Sequence, residues 1–452
     1  MTFATMLVPT ILFWGLALAS VFVRPRYAVL LLILIAQLDL TGIAFYSDTS
    51  LGWENGIKVV LIPTIVLLRV KPLDLLPSAF RFARNCWIAL VGYAGVSILW
   101  SPYRLSGVKL MGYFYSYSVL LIIFASAWRR HWFTRKALIS VTSVALLFAI
   151  LQTYVLGNAY GDPEYDNRFT TFADPQSFAP FLTCMIVLLI LCNRRSIAAT
   201  LASAAALIGL VLTGSRSNLI AFVWVALVIG IAFAKRSRRH ISLSLLVRNV
   251  AIGCLVVVLL GVFVLETLPS SRLTELLDVV TSYNSDSLES VGTFAWRLSV
   301  YAEAIKEISG RSWKELAVGS GSSSGANVGL QTGFFQEETV DPNRVIHDEF
   351  LRSLYEWGAL GLLAFLLFLG GVLRLCIKLV KLTSSPYAWA CLAIFGPLLI
   401  ALLVENVFAD GASPGGVGYC LIFASMIGQL HPAPEPERVL SRASLRTTES
   451  TG

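Results

Sequence analysis

Apolar residues in this chain rarely alternate with polar ones. They come in long, nearly unbroken runs, at 3–23, 27–44, 57–70, 86–100, 109–128, 137–156, 177–192, 197–213, 218–234, 249–267, 351–373, 387–405 and 416–430. A bilayer-spanning helix needs roughly 20 such residues, because its backbone polar groups must be satisfied within the segment. The shorter runs would be tilted, broken or extended into flanking polar residues. The pattern predicts an all-α polytopic integral membrane protein with about 12–14 transmembrane helices.

The polar positions between the runs set the orientation. Alternate loops carry Arg24/Arg26, Lys71/Arg81/Arg84, Arg129/Arg130/Arg135/Lys136, Arg194/Arg195, Lys235/Arg236/Arg238/Arg239/Arg248, Arg374/Lys378/Lys381 and Arg438/Arg442/Arg446. The positive-inside rule makes this set cytoplasmic, with the N-terminus outside and the C-terminus inside. The other loops are short, apart from 268–346, which has an acidic excess. Within that loop, Phe294 to Ile308 reads as an amphipathic helix on the outer membrane face. Val318 to Gly325 (VGSGSSSG) reads as a flexible loop or turn. The expected organisation is a helix bundle over 1–267, an outer loop domain over 268–346, C-terminal spans over 347–430 and a disordered cytoplasmic tail over 431–452.

Composition narrows the classes further. Apolar residues make up 56% and charged residues 14%, against about 45–50% and about 25% in soluble domains. Mean hydropathy is +0.73. A soluble enzyme, a DNA-binding domain and a secreted disulfide scaffold are excluded. The net charge of +8 comes from basic residues scattered between spans, which suits membrane lipids rather than a nucleic-acid partner. The seven cysteines lie in or beside apolar runs without a CxxC pair, which argues against disulfides and zinc. The first run lacks a basic leading region and a small-residue cleavage site, so it reads as a retained span.

Four histidines are present. His131, His240 and His431 fall in basic loops or the tail. His347 alone falls on the outer side, in Arg344-Val-Ile-His347-Asp348-Glu349, where the long loop re-enters the membrane. A titratable imidazole beside carboxylates suits a general base, and it equally suits an interfacial helix cap. Arg168, Arg216 and Arg297 share that side. Arg216 stands in a tight turn, Thr213-Gly-Ser215-Arg216-Ser217, next to the N-terminal amides of the following span. A guanidinium fork at a helix N-terminus binds phosphate, although a lone arginine can also snorkel to headgroups. No phosphate-binding glycine motif for nucleotides is found, and Asp162/Glu164 and Glu337/Glu338 lack the company a metal site needs. No cofactor and no metal are expected.

Here the residues resemble a family. His347-Asp-Glu-Phe-Leu-Arg-Ser-Leu-Tyr-Glu356-Trp-Gly358-Ala-Leu-Gly361-Leu resembles the H-N-x-x-L…E-x-G-x-x-G-L signature of the O-antigen ligase and polymerase superfamily. Arg168 to Phe178 (RFTTFADPQSF), Thr213 to Ser217 (TGSRS), and Trp296-Arg297 followed by Gly319-Ser-Gly321 resemble its other motifs, in family order. Two departures stand out: Asp348 replaces the usual Asn, and a Thr replaces the middle glycine of the Arg168 motif.

The resemblance implies a GT-C-like membrane fold in a bacterial inner membrane, with the active site on the periplasmic face. It implies transfer of a glycan from undecaprenyl diphosphate to an acceptor glycan or glycolipid, by a metal-independent, inverting route. His347 would deprotonate the acceptor, and Arg216 and Arg297 would hold the diphosphate. Arg168, Ser215, Arg344 and Asp348 would contact substrate. Ligases use a lipid A core acceptor; polymerases use another lipid-linked chain and work with a chain-length regulator. The alternative class is a transporter or flippase of lipid-linked oligosaccharides. That class favours mid-membrane ionisable residues and inverted repeats, whereas Asp39 and Glu405 sit near the outer span ends. A scaffold subunit would have no use for the clustered outer charges.

Overall fold

The computed structural model describes residues 3–38, 56–71, 77–156, 168–192, 196–236, 292–332, 345–383, 385–408 and 412–430. The run at 249–267, the first part of the long loop, Arg344, His240 and the tail lie outside them. Each other expected run coincides with a helix, the 27–44 run being described as far as Leu38. In chain order the helices are α1 (Phe3–Phe22), α2 (Pro25–Ile35), α3 (Ile62–Val70), α4 (Arg81–Ser97), α5 (Arg104–Arg129), α6 (Arg135–Ile150), α7 (Pro175–Cys192), α8 (Ile197–Leu212) and α9 (Arg216–Arg236). After the long loop's opening come α10 (Gly292–Ser309), α11 (Trp313–Val318), α12 (Ala326–Gln331), α13 (Glu349–Thr383), α14 (Pro386–Val404) and α15 (Pro414–Gln429). The protein is an all-α polytopic membrane protein. Among the described residues, six helical stretches are long and apolar enough to cross a membrane: Ser78–Trp100, Arg104–Arg129, Arg135–Leu156, Ser217–Lys235, Glu349–Thr383 and Pro386–Val404. Four shorter apolar helices accompany them. None of the described cysteines forms a disulfide.

Local sequence explains the boundaries. Ser385-Pro386 and Ser413-Pro414 start α14 and α15 in the same way, with the serine hydroxyl accepting an amide of the first turn and proline at the first helical position. Thr134 and Ser196 cap α6 and α8 by the same means. The centre of the bundle is α7, whose residues from Phe178 to Leu189 are all buried. It packs against α15, α8 and α14. Close helix approach, rather than hydrophobicity, drives packing between spans. Gly416 lets α15 ride on the Tyr117 ring of α5, where a Cβ would fall 2.5 Å from a ring carbon. Large apolar side chains such as Leu360, Leu363, Ile197 and Leu201 remain exposed on the outside of the bundle.

The basic helix ends gather together. Arg69 donates to Ser20 O, at 2.7 Å, and to Val23 O at the end of α1. Arg130 donates to Lys71 O at 2.7 Å. Lys235 lies over the Trp389 ring, 5.5 Å from its centroid, and Trp128 meets Tyr387 at 5.3 Å. These contacts put the ends of α1, α3, α5 and α9 and the start of α14 at one end of the bundle. Nineteen residues of α14 rise about 28 Å at 1.5 Å each, close to one hydrocarbon core, before reaching Glu405.

The Gly/Ser stretch differs from its expected flexibility. Its serines 322–324 are fully buried. Ser322 Oγ donates to Ala94 O at 2.7 Å, accepts from the Trp357 indole at 2.9 Å and meets Ser97 Oγ at 2.9 Å. Composition suggested mobility, but the Ser322 hydroxyl finds partners on both α4 and α13. Gly319 (φ 74°, ψ 179°) and Gly358 (φ 63°, ψ −167°) face each other, and the latter interrupts α13. A Cβ on Gly358 would lie 2.4 Å from Ala317 O, and one on Gly319 2.3 Å from Glu356 O. Both torsion pairs belong to a region that essentially only glycine enters. Gly358→Ala should therefore cost roughly 1–3 kcal/mol in backbone strain before any overlap is counted. The check is thermal unfolding of detergent-solubilised protein, and an unchanged melting temperature would refute this account of the kink.

Candidate active site

At the end of the bundle opposite the basic cluster, three distant chain segments meet. Helix α14 stops at Val404, and Glu405 turns extended (φ −140°, ψ 165°). The orphaned Val404 carbonyl accepts from Arg297 Nη1 at 2.8 Å. Both Arg297 Nη atoms also lie 3.5 Å from Glu405 Oε1. On the other side, Glu405 Oε2 is 3.9 Å from His347 Nδ1. One carboxylate thus stands between the guanidinium and the imidazole. The three side chains are 16–21% exposed, so they are reachable without being freely solvated.

Each group is held by its own local structure. Arg297 and Tyr301 are four residues apart on α10 and share a face. The Tyr301 hydroxyl donates to the His347 carbonyl at 2.9 Å. Burial pushes that phenol up to about 12, with the Arg297 charge opposing. Asp348 is the N-cap of α13: its Oδ1 accepts the amides of Phe350 and Leu351, both at 2.8 Å. Burial raises its carboxyl above the usual range, and the two amides pull it back. Asp174 caps α7 through Ser177, by its amide at 2.9 Å and its hydroxyl at 2.6 Å. The same first turn carries Gln176, whose amide nitrogen in its donating orientation lies 3.0 Å from both Glu405 oxygens.

The remaining expected residues fall at this end by backbone placement. Trp224 Nε1 donates to Leu392 O at 3.2 Å, while Lys235 sits over Trp389. Helices α9 and α14 therefore run antiparallel, which carries Arg216, the first residue of α9, toward the Val404 end. Ser215 caps that helix, its carbonyl accepting from Leu219 at 3.1 Å and its hydroxyl from Asn218 at 2.8 Å. Phe169 N donates to Leu212 O at 3.1 Å, so Arg168 sits beside the α8–α9 turn. Arg344 lies outside the described residues.

Sequence reasoning singled out His347 and Arg297 but missed what joins them. Glu405 was noted only as an acid near a span end, and Gln176 and Tyr301 were not noted at all. Glu405 is 108 positions from Arg297, and no local pattern links residues that far apart. The one usable signal was an acid directly after an apolar run of span length. The E-x-G-x-x-G stretch, by contrast, builds no part of this cluster. It fastens α13 to the Gly/Ser turn, with Gly321 N donating to Glu356 O at 2.8 Å.

No curated protein matches the chain. The family model described as O-Antigen ligase matches residues 201–366. The match runs from α8 into α13 and contains Ser215, Arg216, Arg297, His347 and Asp348, while Arg168, Gln176 and Glu405 fall outside it. Over those residues, a little more than a third of the chain, it is similar to the O-antigen ligase family.

Proposed function

We propose that this protein transfers a glycan from an undecaprenyl diphosphate-linked donor to an acceptor sugar hydroxyl, on the periplasmic face of a bacterial inner membrane. The observation that carries the reading is the Arg297–Glu405–His347 cluster at the end of the bundle away from the basic loops. His347 Nδ1 faces Glu405, which orients the ring, and the imidazole acts as base toward the acceptor hydroxyl. The acceptor oxygen attacks the anomeric carbon as the bond from that carbon to the diphosphate oxygen breaks. The hydroxyl proton passes to His347, and the released diphosphate takes the electron pair. Arg297 and Arg216 stabilise the charge growing on it. Arg168, Ser215, Arg344 and the uncommitted oxygen of Asp348 contact donor or acceptor sugars. Attack opposite the leaving group inverts the anomeric centre. From the loop, α10 carries Arg297 and Tyr301 to the site, where they meet Glu405 after α14 and His347 before α13.

Purified protein should make this transfer in EDTA and without nucleotide, and the product linkage should be inverted by NMR. Activity lost to chelator and restored by Mg²⁺ or Mn²⁺ would move leaving-group stabilisation from the arginines to a metal. The same donor, offered with either a lipid A core acceptor or a second lipid-linked chain, separates ligase from polymerase.

A further inference from the structure

The first turns of α13 contain an ion pair that the transfer chemistry does not use. Glu349 and Arg352 are both 1% exposed, with Arg352 Nη2 2.7 Å from Glu349 Oε2. The other oxygen, Oε1, accepts the backbone N–H of Phe408 at 2.8 Å. Glu349 follows His347 by two residues, and Phe408 follows Glu405 by three. One buried carboxylate therefore joins the two segments that carry the imidazole and its facing acid. The 405–408 segment has no regular structure of its own. It is anchored by the Phe408 ring, packed against Trp87, Tyr117 and Phe365, and by Tyr117 Oη donating to Val407 O at 2.6 Å. On the α13 side, Ser353 Oγ donates to Glu349 O at 2.6 Å.

We propose that Glu349, braced by Arg352, is a positioning residue that sets the His347–Glu405 separation by fastening residues 405–408 to the start of α13. A buried pair of this kind adds little net stability, because desolvation offsets its attraction. What it supplies is a fixed geometry, to which reacting groups are sensitive at the scale of about 1 Å. The kinetic consequence rests on the reading of His347 as base; the geometric one does not.

Two experiments test it. In a cysteine-free chain, His347→Cys with Glu405→Cys is treated with a short bifunctional thiol reagent, with and without Glu349→Met/Arg352→Met. Replacing both charges together leaves neither member of the pair alone, and Glu356, the other buried acid facing Arg352, keeps the backbone amides of Ser323 and Gly325, so the chain should fold. The cross-linking yield should fall clearly with the methionine pair. It should largely survive Glu349→Gln, which keeps an acceptor for the Phe408 amide. In the native background, the methionine pair should lower kcat roughly 10–100-fold with donor KM unchanged. In a Glu405→Gln background it should cost less than about twofold further, since coupled residues are not additive. An unchanged cross-linking yield, or an equal kcat loss in both backgrounds, overturns the proposal. If His347→Ala keeps its turnover, the base assignment fails, and the cross-linking arm still decides the positioning.

Discussion

Replacing His347 with alanine is expected to lower turnover by a factor on the order of 10²–10⁴, the range for general acid–base catalysis, with donor affinity nearly unchanged. The structure makes this a clean test, because the imidazole is not what holds the segment in place. Tyr301 grips the His347 carbonyl, and the cap on α13 belongs to Asp348. Both survive the substitution, so the variant should melt near the parent. Single-turnover rates with pre-bound donor separate the chemical step from binding. A variant that folds, binds donor and retains near-normal turnover would return His347 to a purely interfacial role.

Arg297→Ala should behave differently. It removes charge-assisted hydrogen bonds to phosphate, a loss of roughly 1.5–3 kcal/mol, and a diphosphate clamp acts in both donor binding and the transition state. Part of the loss should therefore appear as weaker donor binding. Arg297 also covers the end of α14 through the Val404 carbonyl and neutralises Glu405. A modest drop in melting temperature should accompany the kinetic effect, which an arginine merely snorkelling to headgroups would not give. Arg297→Lys should rescue poorly, since an ammonium cannot reach the carbonyl, the carboxylate and a phosphate in one planar fork. Arg216→Ala, measured alongside, should weaken donor binding as well. If Arg297→Ala lowers only the melting temperature and binds donor normally, the residue is a helix cap and not part of the site.

The architecture was largely legible in the sequence because hydropathy reports each span locally. The runs at 109–128, 177–192 and 387–405 map onto α5, α7 and α14 with small shifts. What hydropathy could not see was backbone conformation. Gly358 lies inside an apolar run, and only its torsions reveal the break in α13. The buried serines of 322–324 misled for the complementary reason: their composition says solvent, while the partners of the Ser322 hydroxyl, Ala94, Ser97 and Trp357, lie far away in sequence. In the site, single residues were legible where the chemistry is scarce, as with a lone outer histidine. Glu405 and Gln176 were not, because their meaning is tertiary. An acid at a span end acquires a role only when an arginine and a histidine are brought to it.

The order of these residues along the chain bears on biogenesis. A membrane protein is delivered to the bilayer from its N-terminus as it is synthesised. Arg297 and His347 both precede α14, whereas the Val404 carbonyl and Glu405 lie at its far end. A nascent chain that has not yet placed α14 has no acceptor for the Arg297 guanidinium at that helix end and no acid facing the imidazole. The cluster closes only when one of the last helices is delivered, so a chain terminated just before α14 carries the whole matched family region and yet lacks an assembled site.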